Sequence, residues 1–256
     1  MFGPGPIPDC PPGWRTGPPD FIGVGAQKAG TTWWYSLIEA HPRVTPRTRK
    51  ELHFFADFWH REFRDGDISR YHSYFPRPEG TLSGEWTPRY MSDFWTSTLL
   101  ERAAPAAKIL VLLRDPVARY VSGLTVGLGD GLPPFHPDVA QDALARGFYH
   151  EQLVRLLECF AREQVLVLQY EICRRNVLAE LTRTYRFLGV DDSFVPEGAH
   201  ERVNPTEDKV DVPRETSERV AALYRNDVAR LAEAFPEIDV TLWPPFADLA
   251  PVAKDA

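Results

Sequence analysis

The sequence is short of the features that would place it in several large classes at once. It holds only 3 cysteines in 256 residues, Cys10, Cys159 and Cys173, and their spacing matches no metal-binding pattern. Cys159 and Cys173 fall in segments that read as structured, so the three are expected as reduced thiols. An excess of positive charge is also missing. The 29 Lys and Arg stand against 36 Asp and Glu, a net charge of −7, which argues against nucleic acid as the main partner. No apolar run is long enough to cross a membrane. The first residues, Met1-Phe-Gly-Pro-Gly-Pro-Ile-Pro-Asp-Cys-Pro-Pro, lack the basic region and apolar run of a secretory leader, so a cytoplasmic location is expected. No internal repeat is seen.

What is present suits an ordinary globular chain. Hydrophobic residues make up 43% and charged residues 25%, and the length fits one domain with a sizeable core. We expect a Pro/Gly-rich segment over residues 1–18, one domain over 19–246 and a tail over 247–256. Strands are predicted at 21–24, 82–86, 109–113 and 165–169. Helices are predicted from Thr31 to just before His41, over 92–102, 117–125, 149–162 and 177–188, and over 217–235, with a helix or turn at 71–75. Residues 50–55 read as a short extended or helical piece, and 127–137 and 196–213 as irregular loops. This alternation predicts an α/β fold, a single domain with a central parallel sheet flanked by helices and ligands at the strands' C-terminal ends.

The most informative stretch is Phe21-Ile-Gly-Val-Gly-Ala-Gln-Lys28-Ala29-Gly30-Thr31-Thr32-Trp33-Trp34, a strand running through a Lys/Gly/Thr turn into a helix. Glycine lets the turn approach an anion closely, and the helix start offers unpaired N–H groups and partial positive charge. A dinucleotide fingerprint beginning at Gly23 and Gly25 fails, because Lys28 occupies the place of its third glycine. A triphosphatase loop fails too, because Thr31 stands where its lysine belongs. Here the lysine precedes the glycine. A second junction, Lys108-Ile-Leu-Val-Leu-Leu-Arg114-Asp115-Pro116-Val-Ala-Arg119-Tyr-Val-Ser122, carries an arginine able to fork onto a phosphate and a serine on the following helix. The cluster Arg47, Arg49 and Lys50 adds local positive charge.

The order Lys28-x-Gly30-Thr31-Thr32 resembles the P-loop-like 5′-phosphosulfate loop of sulfotransferases that use 3′-phosphoadenosine 5′-phosphosulfate (PAPS). Arg114-Asp115-Pro116-x-x-Arg119-x-x-Ser122 resembles their 3′-phosphate motif. The resemblance implies that Lys28, Ala29, Gly30, Thr31, Thr32 and Trp33 hold the phosphosulfate and that Arg114 and Ser122 hold the 3′-phosphate. A transferring sulfuryl group is less anionic than a phosphoryl group, so no metal is expected.

Further segments, over nearly the whole chain, are similar to heparan sulfate sulfotransferases and their bacterial relatives. Arg49-Lys50-Glu51-Leu52-His53-Phe54-Phe55 looks like their K-E-V-H-F-F, Glu85-Trp86-Thr87-Pro88-Arg89-Tyr90 like their E-K-T-P-x-Y, and Gly147-Phe148-Tyr149-His150 like the start of a later helix. The resemblance makes Glu51 the catalytic base, with His53 as its rival. Trp86 departs from the family's lysine, which makes an anionic polysaccharide a less fitting acceptor. Trp86, Trp95, Phe58 and Trp59 are candidates to line a site for an aromatic, lipid-like or sugar acceptor. Arg202 and Lys209 lie in a segment that covers the nucleotide in relatives. The expected activity is sulfuryl transfer to a hydroxyl, less readily an amine, of a small molecule, glycan or lipid. The alternatives are a magnesium-dependent kinase using Asp115 as metal ligand and a non-catalytic module that binds adenosine 3′,5′-bisphosphate.

Overall fold

The runs Phe21–Gly25 (β1) and Val165–Gln169 (β4) are buried at every residue, and Lys108–Leu113 (β3) at every residue after the lysine. Such uninterrupted burial is what strands of a parallel sheet need when helices flank it. With the short strand Gly84–Trp86 (β2) they form one parallel sheet of order β2-β1-β3-β4. The computed structural model describes residues 3–46, 49–126, 128, 131–133, 135–199 and 210–249. The predicted α/β class and its four strands are found, with β2 cut to its last part.

Helices flank the sheet. Thr31–Glu39 (α1) follows β1, Asp65–His72 (α2) and Thr96–Ala103 (α3) lie on either side of β2, and Pro116–Gly123 (α4) follows β3. Pro137–Ala145 (α5), Tyr149–Leu157 (α6), Tyr170–Arg175 (α7), Val177–Leu188 (α8) and Arg214–Ala234 (α9) complete the set. Two of these differ from the sequence expectation for the same reason. α2 buries only Tyr71 and α5 only Ala143, so neither carries the apolar stripe that reveals a helix. α6 stops at Leu157 rather than 162, because the chain turns to bury Phe160 and enter β4 at Val165. The described part of 127–137 and of 196–213 is irregular, as expected, and Arg47, Arg202 and Lys209 lie outside the described residues.

The parallel arrangement puts every strand's C-terminal end at one rim. Gly25 leads into the Lys28 turn, Leu113 into Arg114, Gln169 into Tyr170, and Trp86 into Thr87. Trp86 corrects one expectation. It is fully buried, it donates from Nε1 to the Gly25 carbonyl at 3.2 Å, and a Cβ on Gly23 would stand 2.0 Å from its ring. The tryptophan therefore fills the space that glycine leaves in β1 and belongs to the core, not to an acceptor surface. Phe58 is likewise a core residue, packed on Phe54, Phe55 and Phe63.

Trp86→Ala should lower the unfolding free energy by about 3–5 kcal/mol, the usual cost of emptying a buried aromatic site. Urea denaturation measures it, and a loss under about 1 kcal/mol would contradict the core role.

Candidate active site

The turn after β1 is set by two left-handed residues, Lys28 with φ 66° and Gly30 with φ 90°. At Gly30 nothing larger is accommodated, since an added Cβ would lie 2.8 Å from the Tyr170 ring. Gly30 is also the residue before α1, and the first turn of that helix has no side-chain cap. Its amides are left to face the rim, where partial positive charge accumulates. Ala29 and Thr31 are buried, Thr32 is exposed, and Trp33 is buried with no hydrogen-bond partner for its Nε1. Burial first, and the Arg114 charge second, lower the pKa of the half-buried Lys28 ammonium.

Arg114 closes the other side of the turn. Its Nη1 donates to the Lys28 carbonyl at 3.1 Å, its guanidinium lies 5.3 Å from the Tyr170 ring centre, and its own carbonyl accepts from the Tyr149 hydroxyl at 2.9 Å. The Lys28 and Arg114 charges are near enough to act on one another, an arrangement that favours an anion. Asp115 caps α4, accepting from the amides of Val117 at 2.8 Å and Ala118 at 3.3 Å, while its own amide donates to Glu171. Its carboxylate is therefore engaged by the helix start. Ser122 lies further along α4, about 9 Å of helix rise beyond Pro116, half-buried. Among the described residues no hydrogen bond joins its side chain to the other predicted site residues.

The segment Lys50 to His53 meets the cradle directly. Lys50 Nζ donates to Thr31 Oγ1 at 3.1 Å, Thr32 Oγ1 at 3.3 Å and Glu51 Oε1 at 3.0 Å. The other Glu51 oxygen lies 3.2 Å from His53 Nε2. The two rival bases are thus one pair, and a lysine joins that pair to the cradle. Burial raises the Glu51 pKa, but the hydrogen bond from His53 and the charge of Lys50 outweigh it and hold the carboxyl below its ordinary range. Desolvation lowers Lys50 despite the partly offsetting Glu51 charge. Two lone-pair directions of the carboxylate remain, and the side chain keeps 36% of its surface exposed. It stays within reach of an incoming hydroxyl. His53 itself sits at φ 51°, a conformation unusual for a non-glycine residue.

Of the predicted acceptor aromatics the exposed Trp59 and the half-buried Trp95 remain. Trp59 is 61% exposed and packs at 6.0 Å on Phe94, itself 62% exposed, and at 5.9 Å on Trp95. Trp95 Nε1 donates to the Phe55 carbonyl at 2.9 Å, which moors this trio to the end of the Lys50–Phe55 segment. Phe94 was not legible as a partner, nor was Tyr170 as the wall beside Gly30. The available signal for Tyr170 was its place directly after a buried strand. The ion pair of Lys50 with its neighbour Glu51 is open to a reading of the sequence, whereas the Lys50 contacts with Thr31 and Thr32 are not. Among the described residues no group of three or more His, Cys, Asp or Glu is placed to hold a metal, and no helix is long and apolar enough to cross a membrane.

Comparison with known proteins gives the family. The model of the sulfotransferase domain matches residues 18–209, three quarters of the chain, from before β1 through Arg114 and Ser122. The chain belongs to the sulfotransferase domain family. It is 29% identical over 192 residues to human heparan sulfate glucosamine 3-O-sulfotransferase 6, covering 70% of this chain and 54% of that protein. It is 26% identical over 203 residues to the mouse bifunctional heparan sulfate N-deacetylase/N-sulfotransferase 4, covering 69% of this chain and 23% of that one. The chain thus spans about half the length of the first relative and under a quarter of the second. A sulfotransferase structure from Alicyclobacillus acidocaldarius superposes with TM-score 0.73 at 26% identity, covering 88% of this chain and 98% of that one. The sulfotransferase domain from the curacin biosynthetic pathway shares the fold, with TM-score 0.53 at 13% identity over 82% of this chain and 98% of that one.

For this family member, Gly30→Ala should destabilise the cradle by at least about 1–2 kcal/mol from the left-handed backbone alone, before the clash with Tyr170. A melting temperature equal to that of the unchanged protein would show that the turn relaxes freely.

Proposed function

We propose that this sulfotransferase moves the sulfuryl group of PAPS to an acceptor hydroxyl at the rim where Lys28, Arg114 and the Lys50–Glu51–His53 group converge. The observation that carries this reading is the Lys50 ammonium, which touches both cradle threonines and the Glu51 carboxylate. It brings a proton acceptor within one side chain of an anion cradle. The fit to a phosphosulfate donor is supported by the uncapped first turn of α1, the missing side chain at Gly30 and the paired cations Lys28 and Arg114.

In this mechanism Lys28 and the amides of Gly30–Trp33 hold the phosphosulfate and stabilise the leaving phosphate. Arg114 and Ser122 hold the 3′-phosphate. The acceptor oxygen forms its bond to sulfur as the bond from sulfur to the bridging phosphate oxygen breaks, and Glu51 takes the hydroxyl proton. His53 and Lys50 orient that carboxylate. The exposed Trp59 and Phe94, backed by the half-buried Trp95, favour an acceptor with an apolar or ring face, within the wider class of small molecules, glycans and lipids. A cytoplasmic setting and the absence of a required metal belong to the same reading. The kinase alternative has less support, because the Asp115 carboxylate is engaged in capping α4.

Calorimetry with adenosine 3′,5′-bisphosphate and with ADP, each with and without magnesium, tests the donor. Metal-independent binding of the bisphosphate is expected, and a magnesium-dependent preference for ADP would promote the kinase. With PAPS and a panel of phenols, hexosamines and fatty alcohols, Lys28→Ala should lower turnover by at least about 100-fold. Glu51→Gln should retain bisphosphate binding while losing about 10²–10⁴-fold in transfer.

The pH profile separates the two members of the base pair. Glu51 is held below the ordinary value of 4.5, so it stays ionised and competent as the pH falls through the weakly acidic range. A rate that is flat from about pH 7.5 to about 5.5 is expected, because a carboxylate base loses activity only near its own pKa. A steady decline across that window would move the proton-accepting role to the imidazole of His53.

A further inference from the structure

The Glu85-Trp86-Thr87-Pro88-Arg89-Tyr90 segment contains a carboxylate that the mechanism above does not use. Glu85 is fully buried, at the centre of β2. Its Oε1 accepts from the Tyr71 hydroxyl at 2.7 Å and the Tyr90 hydroxyl at 3.2 Å. Its Oε2 accepts from the Thr87 hydroxyl at 2.6 Å and the Leu52 amide at 3.2 Å. Each of these four partners donates.

Two of the hydroxyls pass the interaction on. Thr87 Oγ1 accepts from the amides of Leu52 at 3.0 Å and His53 at 3.4 Å, and the Tyr90 hydroxyl oxygen accepts from the Phe54 amide at 3.0 Å. Because each hydroxyl gives its single proton to Glu85, its lone pairs are left for the backbone. Three consecutive amides, Leu52, His53 and Phe54, are therefore held by one buried carboxylate, directly or through one hydroxyl. They flank the residue with φ 51°, a backbone state that persists only where its surroundings over-determine it. Glu51 lies immediately before this anchored stretch.

We propose that Glu85 is the positioning residue for the Glu51–His53 pair, acting through the Thr87 and Tyr90 hydroxyls on the backbone that carries both. This rests on the reading of that pair as the acceptor-activating group. Glutamine cannot replace it at either orientation. An NH₂ in the Oε2 place would face the Leu52 N–H, a donor that cannot reverse. In the Oε1 place it would face the Tyr71 and Tyr90 hydroxyls, and a reversed Tyr90 proton would turn toward the Phe54 N–H. Either way the strained segment loses an anchor.

The test follows the His53 imidazole by NMR in protein with ring-labelled histidine, its signal assigned with His53→Asn, with adenosine 3′,5′-bisphosphate as the donor-site probe. Glu51→Gln defines how far the His53 signal moves when its hydrogen-bond partner is altered. Glu85→Gln is expected to move it in the same direction, to lower kcat at least about tenfold, and to leave bisphosphate affinity within about threefold, as for a group acting on orientation alone. Should that variant not fold, Thr87→Val removes one hydroxyl from the relay, and Thr87→Ser should restore most of the signal position and the rate. An unchanged His53 signal in Glu85→Gln, or in Thr87→Val, overturns the proposal. Full transfer by Glu51→Gln would instead defeat the base assignment, an outcome that the His53 signal reads separately.

Discussion

Parallel pairing obliges all four strands to finish at the same rim, and everything the site does depends on that constraint. Each strand end hands over to a turn or helix start there, so amides, two cations and a carboxylate group converge without any one loop having to supply them all. Buried strands also make the rim stiff. The left-handed pair Lys28 and Gly30 is held between β1, Arg114 and Tyr170, so the cradle exists before any ligand arrives. Preformed donors need no reorganisation at the moment of reaction, which is why such geometry is effective for charge that develops on a leaving group.

The second organising contact is Trp86 against Gly23. A large ring occupying the space of an absent side chain locks β2 to β1, and the chain beyond it continues to bond to β1 through Thr87 N to Gly23 O at 2.9 Å and Met91 N to Val24 O at 2.9 Å. From the same place Trp86 N reaches the Lys50 carbonyl at 3.2 Å. The strand that carries the buried Glu85 is thereby fixed relative to both the cradle and the Lys50–Phe55 segment. In relatives a lysine is expected at the Trp86 position. Here a core ring stands in that place, and Trp59, Phe94 and Trp95 pack together nearer the surface.

The charges at the rim form a chain, not a set of independent groups. Lys50 stands between the Thr31 and Thr32 hydroxyls and Glu51, and Glu51 stands between Lys50 and His53. Any anion that takes the threonine hydroxyls competes for the same ammonium. A charge in the cradle and the Glu51 carboxylate are therefore coupled electrostatically across a few ångströms, where a partly desolvated environment screens little.

Strand runs, the Lys-Gly-Thr turn and the Arg-Asp-Pro junction were legible from sequence because each is local: continuous apolar residues, a glycine needed at positive φ and a proline at a helix's first turn leave their mark in consecutive positions. The sequence by itself therefore determined the α/β class and the turn at the end of β1 where Lys28 and Arg114 meet. The start of α2, and α5 and α7, were missed because so little of each is buried that no periodic stripe forms. What only the tertiary structure decided was partnership across distance. That Trp86 is core, that Lys50 joins Glu51 to Thr31, and that Glu85 anchors residues 52–54 all depend on groups more than a dozen positions apart meeting at a few ångströms, while the pairing of Glu51 with His53 depends on the left-handed backbone at His53. Sheet order and register bring those meetings about, and neither is written in any one segment.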